Sequence, residues 1–398
     1  MRILLTAFAC NPGQGSEPGN GWNWARCLAQ RGHDVDLVTC SDGRGGIEAG
    51  IDRLGLATLY LHLVDAERRW PVPHAEARRL AGYEAWLTAC GRHVRQLPRP
   101  DLAHHVTWGS LHFGPCFRGL GAPVVTGPVG GGQIASARHR AYFDGEWRDE
   151  LVRTIATSTF LPMFPGARRT ARSDHVFATN RATEMALRRL GARSVSLLLA
   201  EGVEPAFITD DHRALSANPV FVWVGSMVPR KAARLALEAF SRVAVEVPGA
   251  SMVFVGDGRG MPVLRQRVDV LGLVGRVMLT GRVPWSQVGR YLDAADCFVF
   301  SSLRDSSSAQ CLEAAARGVP IVAFDLDGIC DFLPDQAVVK ARVDTPDLPG
   351  SLAAAMSTAV ADPGRWERAR ARAIAWAREN TWDQKVVAAE RIYERLAG

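Results

Sequence analysis

The chain has 398 residues, with 47 % hydrophobic and 22 % charged side chains, a formal charge of +6 and an isoelectric point near 9.0. At roughly 150 residues per domain, this length and composition fit two or three ordinary globular domains with full cores. No apolar run approaches the ~20 residues a membrane span requires, and no basic run with interleaved aromatics and no zinc-finger spacing marks a nucleic-acid module. The basic balance suits a solvated surface, an anionic ligand or peripheral contact with an anionic membrane face.

Residues 1–9 read as a buried first strand and not a signal peptide. The apolar stretch is short, and the turn after it, with Gly13, Gly15 and Glu17, has no small-x-small cleavage pattern. A cytoplasmic protein is expected. Short apolar runs then alternate with amphipathic segments, the pattern of β-α repeats on a parallel sheet. In the first half, strands are expected at 3–8, 34–39, 59–63, 102–106, 124–126, 175–178 and 195–199. Helices are expected at 21–30, 75–95, 147–160 and 182–190. The chain turns linker-like at 202–205 and restarts with a second first strand. The second half places strands at 220–224, 252–255, 277–279, 297–300 and 321–324, with helices at 232–245, 261–271, 286–294 and 309–317 and more from 347 onward. Two Rossmann-like domains of similar size follow from this rhythm. Ligands of such sheets sit outside the carboxyl ends of the strands, so the loops there are where chemistry belongs.

The eight cysteines form no Cys-x-x-Cys pair, so neither a zinc ribbon nor a disulfide framework is indicated. The histidines also lack metal spacing: His104 and His105 are adjacent, and on a strand they point to opposite faces.

Four segments could carry chemistry. The loop 11–21 follows the first strand and opens a helix, and its glycines, Gly13, Gly15 and Gly19, let backbone approach an anion; a structural tight turn accounts for it nearly as well. Gly127-Pro128-Val129-Gly130-Gly131-Gly132 suits ligand approach or a plain loop. Val224-Gly225-Ser226-Met227-Val228-Pro229-Arg230-Lys231 ends a strand at a helix start, where two cations oppose the helix dipole unless a diphosphate binds. In the segment 301–313, Asp305 and Glu313 flank a small-residue turn, and carboxylates accept hydrogen bonds from sugar and ribose hydroxyls.

The second-half order of Val-Gly-x-x-x-Pro-x-Lys, Val255-Gly256-Asp257-Gly258, Leu279-Thr280-Gly281-Arg282-Val283, Ala294-Ala295-Asp296 and Asp305-x7-Glu313 before Gly318-Val319-Pro320 resembles the donor domain of retaining glycosyltransferases of family 4. The resemblance spans the chain, since the first half opens with a Gly-rich loop and carries Arg31-Gly32-His33-Asp34-Val35. It implies the GT-B fold: an α/β protein with two Rossmann-like domains facing across a cleft. The acceptor domain would be 1–204 and the donor domain 205–380, with 381–398 returning to the first domain.

By the resemblance, Lys231 binds the donor pyrophosphate, Glu313 holds the ribose hydroxyls and Asp305 faces the transferred sugar. The amides of Ser306, Ser307 and Ser308, with Ala309 following, contact sugar hydroxyls and phosphate. Gly281, Arg282 and Val283 lie beside the base, while Gly225, Ser226 and Gly256 line the donor loop. Ser226 stands where relatives carry arginine, with Arg230 as its substitute, and Asp305 shortens the usual glutamate. The first domain resembles a bacterial subgroup in which Gly15, Ser16, Glu17, His104, His105, Thr107, Trp108, Gly130 and Gly131 line the acceptor side; for His104 a satisfied core histidine is an equal reading.

The implied function is a retaining glycosyltransferase. A nucleotide diphosphate sugar serves as co-substrate, UDP-sugar ahead of GDP-sugar, and the acceptor is a small-molecule, saccharide or lipid-linked hydroxyl. Neither a cofactor nor a metal is expected, and the protein would act as monomer or homodimer. A non-catalytic sugar- or nucleotide-binding relative and a nucleotide-sugar epimerase of the same fold are the alternatives.

Overall fold

The computed structural model describes residues 1–66, 75–117, 119–209, 211, 213–307, 309–326, 328 and 330–398, and side chains within 75–79 are outside that description. The chain divides into two compact units. The first comprises 1–132, 157–201 and 382–398, and the second 133–156 and 202–381.

In the first unit, seven strands form a parallel sheet: β1 (Arg2–Ala7), β2 (Asp34–Thr39), β3 (Leu59–Leu63), β4 (Leu102–Thr107), β5 (Val124–Val129), β6 (His175–Ala178) and β7 (Val195–Leu197), in the order β3-β2-β1-β4-β5-β6-β7. Its helices include α1 (Ser16–Gln30), α2 (Arg44–Leu54), α3 (Ala75–His93), α5 (Pro165–Ala171) and α6 (Arg181–Arg189); α4 (Trp147–Ser158) begins in the second unit. Every side chain of β4 is buried, as expected of a sheet covered on both faces. The last helix, α13 (Trp382–Ala397), belongs to this unit. Trp382, Val386, Ala389 and Tyr393 recur at helical spacing and enter the same core as Trp24, Leu28 and Phe177. Each such large apolar side chain contributes about 1.5–3 kcal/mol by burial.

The second unit holds a six-stranded parallel sheet, β8 (Val220–Val224), β9 (Ser251–Val255), β10 (Val277–Leu279), β11 (Cys297–Phe300), β12 (Ile321–Phe324) and β13 (Val338–Ala341), ordered β10-β9-β8-β11-β12-β13. Helices α7 (Ala233–Glu246), α8 (Met261–Val270), α9 (Val288–Asp293), α10 (Ala309–Ala316), α11 (Leu348–Val360) and α12 (Pro363–Glu379) complete it. The carboxyl ends of β8 and β11 are adjacent in the sheet, which brings the loop at 225–231 beside the loop at 301–307.

Several expectations need correction. Residues 133–156, expected in the first domain, sort with the second unit. Phe143, with Tyr142 and Trp147 against it, packs into the core containing Met227, Phe240 and Leu264, and Arg234 binds Asp144 and the Ala141 carbonyl. Residues 202–204 also sort there, through Val203 pairing beside Thr381. Helices α2 and α5 and strand β13 were not anticipated. The α2 sequence begins Arg44-Gly45-Gly46, which has poor helix propensity; burial of Ile47 and Gly50 holds it in place. Strand β5 runs on through Gly127 and Pro128 to Val129, beyond the expected end at 126.

Candidate active site

In the second unit, β8 ends in a turn where Gly225 donates its N–H to the Val255 carbonyl at 3.0 Å. A Cβ on Gly256 would meet the Gly225 carbonyl oxygen at 1.9 Å, so Gly256 is required for backbone packing as well as any ligand approach. Gly256 in turn bridges Gly281. Ser226 is exposed. Arg230 and Lys231 lie at the start of α7, in a short 3-10 turn that precedes it, with Ala232 in the left-handed region as the cap. Ser301 holds this turn by donating to the Lys231 and Ala232 carbonyls at 2.8 and 3.0 Å.

Lys231 is buried, its Nζ 4.9 Å from the centre of the Phe300 ring and in ion-pair contact with Asp305. Arg230 approaches the same carboxylate at 3.5 Å, Ser302 donates to it at 3.3 Å and the Ser306 N–H at 3.1 Å. Burial pushes the Asp305 carboxyl upward, but Lys231 and Arg230 outweigh it and hold the group below the usual aspartate value. The resemblance directs Lys231 and Asp305 at different parts of a donor; here they engage each other. Ser306 is half-buried, Ser307 is buried and Ala309 opens α10, while Ser308 lies outside the described residues.

Glu313, one turn into α10, accepts a 2.7 Å hydrogen bond from the Trp285 indole, and Trp285 stacks on Phe207 at 5.7 Å. Val283 is half-buried and Arg282 exposed just before that indole. Trp285 was not anticipated, although an aromatic four residues after Gly281 was the visible signal.

A second cluster was missed because its residues were assigned to the other domain. Glu150, on α4, pairs with Arg304 at 2.7 Å and Arg153 at 3.1 Å. Burial first, then the nearby Arg153 and Arg230, lower the Arg304 guanidinium to about 10, against the opposing pull of Glu150. Four cations (Arg153, Arg230, Lys231 and Arg304) therefore meet two carboxylates, Glu150 and Asp305, leaving a surplus of two positive charges. Among the described residues, no group of three His, Cys, Asp or Glu side chains is placed to hold a metal.

In the first unit the structure overturns part of the expected acceptor side. His104 and His105 are enclosed on opposite faces of β4. His104 Nε2 donates to the Gly127 carbonyl at 2.8 Å, so Nδ1 accepts from the Tyr393 hydroxyl at 2.7 Å. Tyr83 donates to the Thr107 carbonyl at 2.6 Å, so its oxygen accepts from His105 Nε2, and Thr6 donates to Nδ1. Burial lowers both imidazoles to about 3, which keeps them neutral structural groups. Thr107 is buried too, accepting from the Ala9 N–H at 3.3 Å. Gly127 and Gly132 are needed for packing: a Cβ there would meet Phe177 O at 2.3 Å or Thr183 Cα at 2.5 Å. Gly130 is buried and bonded to Gly109, and Gly131 is half-buried beside it.

Other residues of that set do reach the surface. Gly15 caps α1, and Ser16 is exposed. Glu17 is partly exposed and accepts from the Gly109 N–H at 3.3 Å; its carboxyl is pushed up to about 7 by burial, opposed by that N–H and aided by Glu201. Trp108 is half-buried against Tyr83 and Phe8, with ring centres at 4.9 and 5.2 Å.

Two parallel Rossmann-like sheets, the second with a cation surplus beside the loops after β8 and β11, make a two-domain α/β architecture suited to an anionic substrate, and comparison with known proteins gives its class. The model of glycosyltransferase family 4 matches residues 22–207, and that of glycosyl transferases group 1 matches 218–362. The protein is a glycosyltransferase of family 4 with the GT-B fold. It is 27 % identical to the 2-deoxystreptamine N-acetyl-D-glucosaminyltransferase of Streptomyces fradiae over 77 % of this chain and 74 % of that one. Several further relatives are matched over only about a third of their length. In fold, it resembles the sucrose-phosphate synthase of Thermosynechococcus elongatus (TM-score 0.67, 16 % identity, 99 % and 98 % of the two chains). It also resembles Anabaena HepE solved with UDP and glucose (TM-score 0.61, 16 % identity, 100 % and 99 %). No helix among the described residues is long and apolar enough to cross a membrane.

Proposed function

We propose that the protein transfers a hexosyl group from a UDP-sugar, with retention of anomeric configuration, to a hydroxyl of a small amino-bearing ring molecule in the cytoplasm. The observation that carries this is the two-charge cation surplus around Arg230, Lys231 and Arg304, which complements a diphosphate. The diphosphate competes with Asp305 for Lys231, freeing the carboxylate for the donor sugar, and Glu313 holds the ribose beside Trp285. The anomeric C–O bond to phosphate breaks, the acceptor oxygen bonds the same face, and its proton passes to the departing phosphate. Rate comes from positioning and from cations that stabilise the leaving charge, the electrostatic work a metal does elsewhere.

Two observations support the acceptor class. The Streptomyces fradiae relative acts, by its name, on 2-deoxystreptamine. In the first unit, burial, with a smaller contribution from the Glu201 charge, makes the Glu17 carboxylate costly to ionise, a cost that a cationic amine offsets.

The test is a thermal-shift panel with UDP, GDP, TDP and ADP on the wild type and Lys231→Met. A ligand at 100 times its dissociation constant adds about 2.7 kcal/mol, which is readily measured. UDP should give the largest shift, and the variant should lose it. A larger shift with another diphosphate replaces uridine as the base, and no shift with any of the four removes the donor assignment.

A further inference from the structure

The edge of the first sheet opposite its strands' carboxyl ends carries a feature that sugar transfer does not use. Near Val124, which opens β5, and Asp174, which precedes β6, the last turn of α3, the end of α5 and residues 115–117 enclose a cavity of about 430 Å³. Four arginines line it: Arg92, Arg95, Arg169 and Arg172. Arg169 is fixed, its guanidinium reaching both Glu84 oxygens at 2.8 Å and the Gly114 carbonyl at 3.0 Å. The side chains of Arg92, Arg95 and Arg172 have no ion-pair or hydrogen-bond partner among the described residues. Asp174 is committed to the Val124 N–H at 2.7 Å.

The facing wall is apolar, formed by Pro115, Cys116 and Phe117. It is held tightly: a Cβ on Gly91 would meet the Cys116 carbonyl oxygen at 2.4 Å, and one on Gly114 the Thr170 nitrogen at 2.3 Å. Cations at helix carboxyl ends are ordinary, worth about 0.3–1 kcal/mol each against the dipole. That explains arginines near α3 and α5 but not the convergence of four on one concavity. Four guanidiniums against Glu84 and Asp174 leave two positive charges beside an apolar wall.

We propose that this cavity is a second anion site, distinct from the donor loops, that takes a phosphate group attached to an apolar or ring-bearing body. Guanidinium forks match phosphate oxygens in pairs, and three unpaired guanidiniums in a site with a surplus of two positive charges are stabilised by a dianion. The same chemistry serves a soluble phosphomonoester and a phospholipid headgroup.

Inorganic phosphate is the first probe. In the full chain, Tm is compared in potassium phosphate and in potassium chloride at matched ionic strength, for the wild type, Arg92→Gln/Arg172→Gln, Arg95→Gln and Lys231→Met. Saturating phosphate should raise the wild-type Tm by about 3 °C. The rise should persist in large part in Lys231→Met and fall by at least half in the arginine variants, whose Tm in chloride serves as the folding check. Sedimentation with phosphatidylglycerol vesicles, against phosphatidylcholine, separates the sources. Arginine-dependent vesicle binding identifies a lipid headgroup, and a phosphate response without vesicle binding identifies a soluble ligand. A phosphate response that is the same in the wild type and both arginine variants overturns the proposal.

Discussion

At the scale of single residues, the decisive contact is that of Lys231 with Asp305, both buried at the ends of β8 and β11. A buried pair gains little over apolar side chains of equal size, yet removing one partner strands the other charge. Asp305→Asn should therefore cost about 3 kcal/mol in urea unfolding at pH 7, while Lys231→Met/Asp305→Leu should recover most of the loss. Because the Asp305 carboxyl is held below its ordinary value, its contribution is complete above pH ~4 and disappears as pH falls through the folded value. Both residues were legible from motif order. Their mutual grip was not, because it depends on β8 and β11 lying side by side. Glu150, Arg153 and Arg304 were illegible as a group for a related reason: 133–156 precedes the linker in sequence yet folds with the second unit.

At the scale of elements, the α/β alternation revealed most strands, because buried parallel strands are short, apolar and bounded by turns. The failures share a cause. Helix α2 carries two glycines in its first turn, and α1 begins five residues earlier than its apolar periodicity does. In each, tertiary packing overrides local preference. The glycines of α1 make this measurable. A Cβ on Gly21 would meet the Ala9 carbonyl oxygen at 2.2 Å, so the glycine lets the helix press against the loop after β1. Helix propensity alone predicts that Gly→Ala gains up to ~1 kcal/mol. Gly21→Ala should instead lose about 1–3 kcal/mol, as overpacked sites do. Gly82→Ala, in α3 with nothing within 4 Å of its would-be Cβ, should gain up to about 1 kcal/mol, the intrinsic preference alone. If both variants move in the same direction in urea unfolding, close packing is not what keeps glycine at position 21.

For the molecule as a whole, stability against pH carries the signature of two misfit charges in the first unit. Glu17 is raised to about 7, chiefly by burial. Lys385, on α13, is lowered to about 7 by burial, which Glu201 partly opposes, and its Nζ donates to the Leu199 carbonyl at 2.7 Å. The signs are opposite. Unfolded Glu17 ionises near pH 4.5 and folded Glu17 only near 7, so its penalty grows across that interval and is full above it. Lys385 pays its penalty in full below pH 7, and the penalty fades as pH rises from 7 towards 10.5, where the unfolded lysine also loses its proton. Glu17→Gln should therefore raise Tm over wild type at pH 8 and barely change it at pH 4.5. Lys385→Met should raise Tm most at or below pH 7 and least near pH 10. Near neutral pH both penalties are large, so a transferase working there keeps these groups at a cost to its own stability. For Glu17, which reaches the surface beside Trp108, a cationic acceptor would relieve that cost by favouring the carboxylate. The gain from Glu17→Gln at pH 8 should accordingly shrink when a saturating amino-bearing acceptor is present, whereas the gain from Lys385→Met, on a side chain enclosed under α13, should not change.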